Sequence, residues 1–108
     1  MVHKIAFTVY PVTDMARARG FYEQVLGLAV SEDFENVWVE YSVGDGVFAI
    51  TSMDIGVRPS SDSGGIVAFE VDDVDALTKA VAARGGRVKT EPFSTPVCRM
   101  SIVLDPDG

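Results

Sequence analysis

Residues 13–28 read TDMARARGFYEQVLGL, and the rest of the chain is read outward from them. Met15, Ala18, Phe21, Tyr22, Val25 and Leu26 recur at steps of three, four and one, the spacing of one apolar helix face. Asp14 stands where an N-cap carboxylate can accept free backbone N–H groups and complement the positive end of the helix dipole. Gly27 follows as a residue suited to the left-handed C′ position. A second stretch repeats the design. Asp72 and Asp73 open a run in which Val74, Leu77, Ala80, Val81 and Arg84 share a face, closed by Gly85 and Gly86. Gly27 lies thirteen positions after Asp14, and Gly85 thirteen positions after Asp72. The chain reads as one unit used twice.

The segments around these helices carry strand signals. Lys4–Val12 alternates, with Ile5, Phe7 and Val9 on one face and Ala6, Thr8 and Tyr10 on the other, and Pro11 ends it. Leu28–Glu32 predicts a short strand and Asp33–Asn36 a polar turn. Val37–Val43 and Val47–Met53 flank Gly44-Asp45-Gly46, which predicts a hairpin with a type I′ turn at Asp45-Gly46. That turn pairs Ser42 with Ala49, Glu40 with Thr51 and Trp38 with Met53. Residues 54–65, rich in Ser, Gly, Asp and Pro, form a linker. Ile66–Val71 is then a strand, Asp73–Arg84 a helix, Arg87–Lys89 a short strand, Thr90–Pro96 a loop and Cys98–Leu104 a strand. The expected organisation is one domain over 1–108, with a first module at 3–53, the linker at 54–65 and a second module at 66–108. The first module reads β-α-β-β-β. The second reaches the turn Asp105-Pro106-Asp107-Gly108 without its last strand. Residues beyond Gly108, an edge supplied by another chain, or an exposed edge at Leu104 would each account for this; the first is the expectation.

Nine Lys and Arg against sixteen Asp and Glu give a net charge of −7. That balance argues against nucleic acid and an anionic membrane surface as partners, and permits a neutral or cationic small molecule. Cys98 is the sole cysteine, so no internal disulfide or Cys-cluster zinc site forms, and a reducing, cytoplasmic setting is the default. It is expected to be a buried thiol. No apolar run is long enough to span a bilayer, and MVHKIAF lacks signal-peptide anatomy.

The tandem modules, FYEQVLGL after an Asp-capped helix and the closing DPDG together resemble the vicinal oxygen chelate superfamily, over nearly the whole chain from Ile5 to Gly108. This group contains glyoxalases, extradiol dioxygenases and bleomycin-resistance proteins. The resemblance implies an α+β fold: tandem βαβββ modules forming a curved, cup-like mixed sheet, with helices on the convex side. It implies a homodimer, because family members often build their cups across a two-fold interface. It also implies four His and Glu positions for a divalent metal. Carried over strand by strand, three of these fall on Phe7, Ala49 and Ile66, and the fourth lies past Gly108. Phe, Ala and Ile offer no lone pair to a cation. The expectation is therefore no metal and no cofactor. His3, the only histidine, reads as a solvated N-terminal side chain.

With those three positions facing the cup, strand parity adds Trp38, Glu40, Thr51 and Glu70. Arg99 joins them if Arg99, Ser101 and Val103 face inward; one bulge would instead present Cys98, Met100 and Ile102. Glu40 with Arg99 is the expected ion pair, since a buried carboxylate needs a partner. The expected ligand-binding set is Phe7, Trp38, Glu40, Ala49, Thr51, Ile66, Glu70 and Arg99, with no catalytic residue assigned. Mostly apolar walls with sparse polar groups suit a small ligand. The acidic residues Asp72, Asp73 and Asp75 read as helix capping. Ser60, Ser61 and Ser63 have no base beside them, and Arg17 and Arg19 read as solvated. The leading expectation is a binding protein holding a small organic molecule in the cup, similar to bleomycin-resistance-type proteins. The alternatives are a metal-dependent lyase or dioxygenase, such as a lactoylglutathione lyase, and a regulatory domain with a filled cup.

Overall fold

A computed structural model describes residues 1–62 and 64–108; the Ser63 reading lies outside the described residues. The first module is complete. β1 (Thr8–Pro11) leads into α1 (Met15–Arg19), a π-helical turn (Gly20–Val25), then β2 (Ala29–Phe34), β3 (Trp38–Val43) and β4 (Gly46–Thr51). They form one mixed, four-stranded sheet in the order β1-β4-β3-β2, with β1 parallel to β4 and the rest antiparallel. The expected start of β1 at Lys4 is not met. The parallel register sets Thr8 opposite Phe48, and β4 begins only two residues earlier, so Lys4 and Ile5 have no neighbour to pair with.

The Asp14 carboxylate caps α1 by accepting the Arg17 N–H at 3.1 Å. Met15, Ala18, Phe21 and Tyr22 are buried against Val39, Tyr41, Phe48 and Ile50. Each of the larger apolar side chains contributes about 1.5–3 kcal/mol by leaving water. The helix ends as expected at Gly27, whose φ is +77°. The π turn is not legible in the repeat. Gly27 follows its cap by thirteen residues, but the second helix, α2 (Val74–Ala83), is capped by Asp73, twelve before Gly85, and not by Asp72. The first helix therefore carries one residue more than the second. A π turn absorbs it, with the Leu26 N–H reaching back five residues to Phe21 O.

The hairpins differ in detail from the sequence reading. The β3–β4 loop is Gly44-Asp45, with Gly44 at φ +56°, the position a type II′ turn gives to glycine. Val43 faces Gly46, and so Trp38 faces Thr51, Glu40 faces Ala49 and Ser42 faces Val47. This is a two-residue shift from the expected register, which leaves every side chain on its expected face. The type I′ geometry occurs instead between β2 and β3, where Glu35 and Asn36 have φ of 53° and 56°.

The second module comprises α2, β5 (Arg87–Ser94) and β6 (Arg99–Leu104), the strands paired antiparallel in a separate two-stranded sheet. β5 runs through the expected loop and past Pro92, because bulges between Val88, Thr90 and Phe93 take the irregularity. Residues 66–71 join no ladder, although they were expected as a strand. Their alternation survives: Val67 and Phe69 pack on the first module's core, while Ile66, Ala68 and Glu70 are exposed. Val67 donates its N–H to the Tyr10 hydroxyl at 2.6 Å, where a neighbouring strand would otherwise accept it.

The modules are tied through polar contacts at the helix ends. Tyr22 donates to the Asp105 carboxylate at 2.7 Å, Thr13 to Asp107 at 2.6 Å, and Arg84 to Val25 O at 2.9 Å. The DPDG turn thus docks on the first helix. Arg19 is not solvated as expected. It pairs with Glu23 at 2.7 Å and Asp33 at 2.9 Å and donates to Asn36, fastening the π turn to the β2–β3 hairpin.

Candidate functional site

The sheet face turned away from the helices gathers most of the expected site. Trp38 and Glu40 are two residues apart on β3 and therefore project to the same side. Glu40 accepts the indole N–H of Trp38 at 2.9 Å. Phe7 meets the Trp38 ring edge to face, with centroids 5.4 Å apart and planes at 88°. Ala49 and Thr51 lie opposite Glu40 and Trp38 on β4, and both are fully buried. The Thr51 hydroxyl donates to Val37 O at 2.7 Å and accepts the Met53 N–H, so it is a brace for the strand end and not a free ligand contact.

Two further members were missed. Phe34 and Glu32 on β2 lie opposite Trp38 and Glu40, and they extend the same face outward. The signal was Asn36, a residue tolerant of positive φ: a turn centred there carries the strand on to Phe34 and aligns both pairs. Phe34 is 52% exposed and Phe7 44%. The result is an aromatic shelf with two carboxylates beside it.

Three expected members stand apart. Arg99 does not reach Glu40. β6 turns Ser101 toward α2, where its hydroxyl lies 2.8 Å from that of Thr78, and Val103 toward the core. Arg99 shares that parity and forms a bidentate pair with Asp75 at 2.7 and 2.8 Å. The inward alternative, Met100 and Ile102, falls to the other face. Ile66 and Glu70 have the expected parity but sit on the unladdered segment, with Ile66 76% exposed. Cys98, expected to be buried, is exposed in the β5–β6 turn.

Three of the metal positions implied by the resemblance offer an ion no donor atom. Phe7, Ala49 and Ile66 present only hydrocarbon, and among the described residues no three of His, Cys, Asp and Glu converge. Two clefts of about 210 Å³ exist, one between α2 and β5 and one beneath residues 52–59, and neither is lined by Trp38 or Glu40. Phe7 and Phe34 are the exposed parts of the shelf, Trp38 and Glu40 are half-buried, and Ala49 and Thr51 are covered.

Behind this shelf, the helix side holds the perturbed groups. Burial pushes the Glu23 carboxyl up, but hydrogen bonds from Arg19 and Tyr41 outweigh it and hold the group below the usual range. Burial, then the neighbouring carboxylate, raises the Tyr22 phenol through Asp105 and the Tyr41 phenol through Glu23. These groups brace the sheet from behind and do not face the shelf.

The chain is an α+β protein, a curved sheet backed by helices on one face and carrying the Phe7–Trp38 pair on the other. A family model places it: the chain belongs to the Glyoxalase/Bleomycin resistance protein/Dioxygenase superfamily, matched over residues 4–108. It is 30% identical to the lactoylglutathione lyase of Haemophilus influenzae, over 97% of this chain and 87% of that protein. It is 35% identical to the anthracycline biosynthesis protein DauV of Streptomyces sp. (strain C5), over 88% of this chain but 35% of that protein. The chain thus spans about a third of the length of that relative. Among solved structures, TnmS3, an antibiotic binding protein from Streptomyces sp. CB03234, superimposes with a TM-score of 0.82 at 27% identity, covering 99% of this chain and 90% of that one. Among the described residues, no helix is long and apolar enough to cross a membrane.

Proposed function

We propose that this protein binds a small organic molecule on the Trp38 face and does so without a metal. The observation that carries the reading is the filling of the implied ligand positions by Phe7, Ala49 and Ile66 beside a half-buried Trp38 in contact with the exposed Phe7. Apolar walls supply burial and Glu40 supplies a polar anchor. The likeness to an antibiotic binding protein supports it. Because neither of the two clefts includes Trp38 or Glu40, we also propose a homodimer in which a second copy closes the cup, working in the cytoplasm. Trp38 is the sole tryptophan, so its fluorescence reports the site directly. Titration with a panel of aromatic antibiotics and related compounds, with and without EDTA, should quench or shift that emission equally in both conditions. No response across the panel, or a response abolished by EDTA, overturns the proposal. Light scattering checks the dimer, and a monomer that still binds tightly refutes the shared cup.

The lyase reading has its own support in the identity to the Haemophilus influenzae enzyme. It requires a stoichiometric divalent ion, and elemental analysis of protein purified without chelator decides between the two.

A further inference from the structure

We propose that Glu40 determines specificity on this face, and that the ligand class it selects is a flat aromatic ring carrying a cationic amine. This rests on the binding reading above and narrows it. Glu40 spends one oxygen, Oε2, on the Trp38 indole at 2.9 Å. Among the described residues Oε1 accepts no hydrogen bond, and Glu40 enters no ion pair. The bond fixes the ring plane and draws electron density toward the indole face, where a cation is attracted by the ring quadrupole.

The surroundings leave that charge uncompensated. The four strands of the sheet, TVYP, AVSEDF, WVEYSV and GVFAIT, contain no Lys, Arg or His. Their three carboxylates are Glu32, Asp33 and Glu40. Asp33 projects to the helix side, where Arg19 neutralises it. Glu32 and Glu40 face one another across β2 and β3, a like-charge pair that disfavours folding unless a cation sits between them. Phe34 and Trp38 are the next pair along the same face. A planar ring laid along Trp38 and Phe34 therefore places a substituent amine within the reach of both carboxylates. Glu40 acts both as a positioning residue for Trp38 and as the charge that selects the ligand.

The test uses two flat tricyclic probes of nearly equal shape, cationic 9-aminoacridine and neutral acridone, titrated into the full chain with Trp38 emission and calorimetry as readouts. Wild-type protein should prefer 9-aminoacridine by about tenfold or more, the scale of one desolvated cation–π contact with a carboxylate beside it. Glu40→Gln keeps an acceptor for the indole. It should weaken 9-aminoacridine far more than acridone and bring the preference down to about twofold or less. Glu40→Leu removes the acceptor as well, and Trp38 anisotropy should then fall and both probes weaken. If both probes bind and Glu40→Gln leaves the preference intact, the specificity assignment is wrong while the binding reading stands. If neither probe binds wild-type protein, both fall together.

Discussion

Replacing Tyr22 by Phe tests how the two modules are held together. The ring is 3% exposed and packs edge to face on Phe21 and, tilted, on Phe48, contacts that Phe preserves. Only the hydroxyl is lost, with its 2.7 Å bond to Asp105. A hydrogen bond to a charged acceptor is worth about 1.5–3 kcal/mol, and the partly exposed Asp105 can recover some of it from water, so about 1.5 kcal/mol is expected. In a domain of this size that lowers Tm by roughly 6–12 °C. A double-mutant cycle with Asp105→Ala isolates the pair, since that variant also loses the Asp107 N–H contact at 3.1 Å. Urea denaturation of the four proteins should give a coupling energy of about 1–1.5 kcal/mol. The same bond sets a pH signature. The Tyr22 phenol titrates above its unfolded value, first from burial and then from Asp105. Its contribution is therefore fully present below about pH 10 and is lost as pH climbs further, and Tyr22→Phe should flatten that decline. Strict additivity in the cycle, together with an unchanged alkaline slope, would refute the tie between modules.

Three other outcomes follow from the same packing. Glu23, held below the usual carboxylate range by Arg19 and Tyr41, contributes stability that is present above about pH 4.5 and fades as pH falls below it; Glu23→Gln should remove that acid dependence in urea midpoints measured from pH 3 to 7. Gly86→Ala sets a Cβ 2.5 Å from Val81 Cγ1 and 3.0 Å from Val81 O. Val81 is 1% exposed and has no room to move, so a loss of about 1–3 kcal/mol by chemical denaturation is expected. Asp73→Ala should cost about 1 kcal/mol through the lost cap on α2, and Asp72→Ala should be close to neutral; equal effects in thermal melts would put the helix start in the wrong place.

Much of this molecule was legible from periodicity alone. The helix face Met15, Ala18, Phe21 and Tyr22, the left-handed Gly27 and the separation of the helix-facing side chains of β3 and β4 from those on the opposite face all follow from side-chain spacing, which is a local property. That is why Trp38, Glu40, Ala49 and Phe7 were placed on one face correctly, even though the hairpin register was two residues off. Parity tolerates an even slip. Phe34 is not legible this way because the polar run Asp33–Asn36 reads as a turn while β2 continues two residues past Glu32, and without that continuation Glu32 has no defined partner on β3.

Partnership between distant segments obeyed no such local rule. Arg99 has one charge and two carboxylates it might have met, and only the packing of β6 on α2 sends it to Asp75 and leaves Glu40 alone. The π turn, the docking of Asp105 on Tyr22 and the absence of a ladder at residues 66–71 are likewise decisions of the assembled chain. The order of residues determined which side chains share a face, because the pleat and the helical turn have fixed periods. Which faces meet depended on volume, charge and hydrogen-bond satisfaction summed over the whole fold, and those sums exist only once the chain has closed.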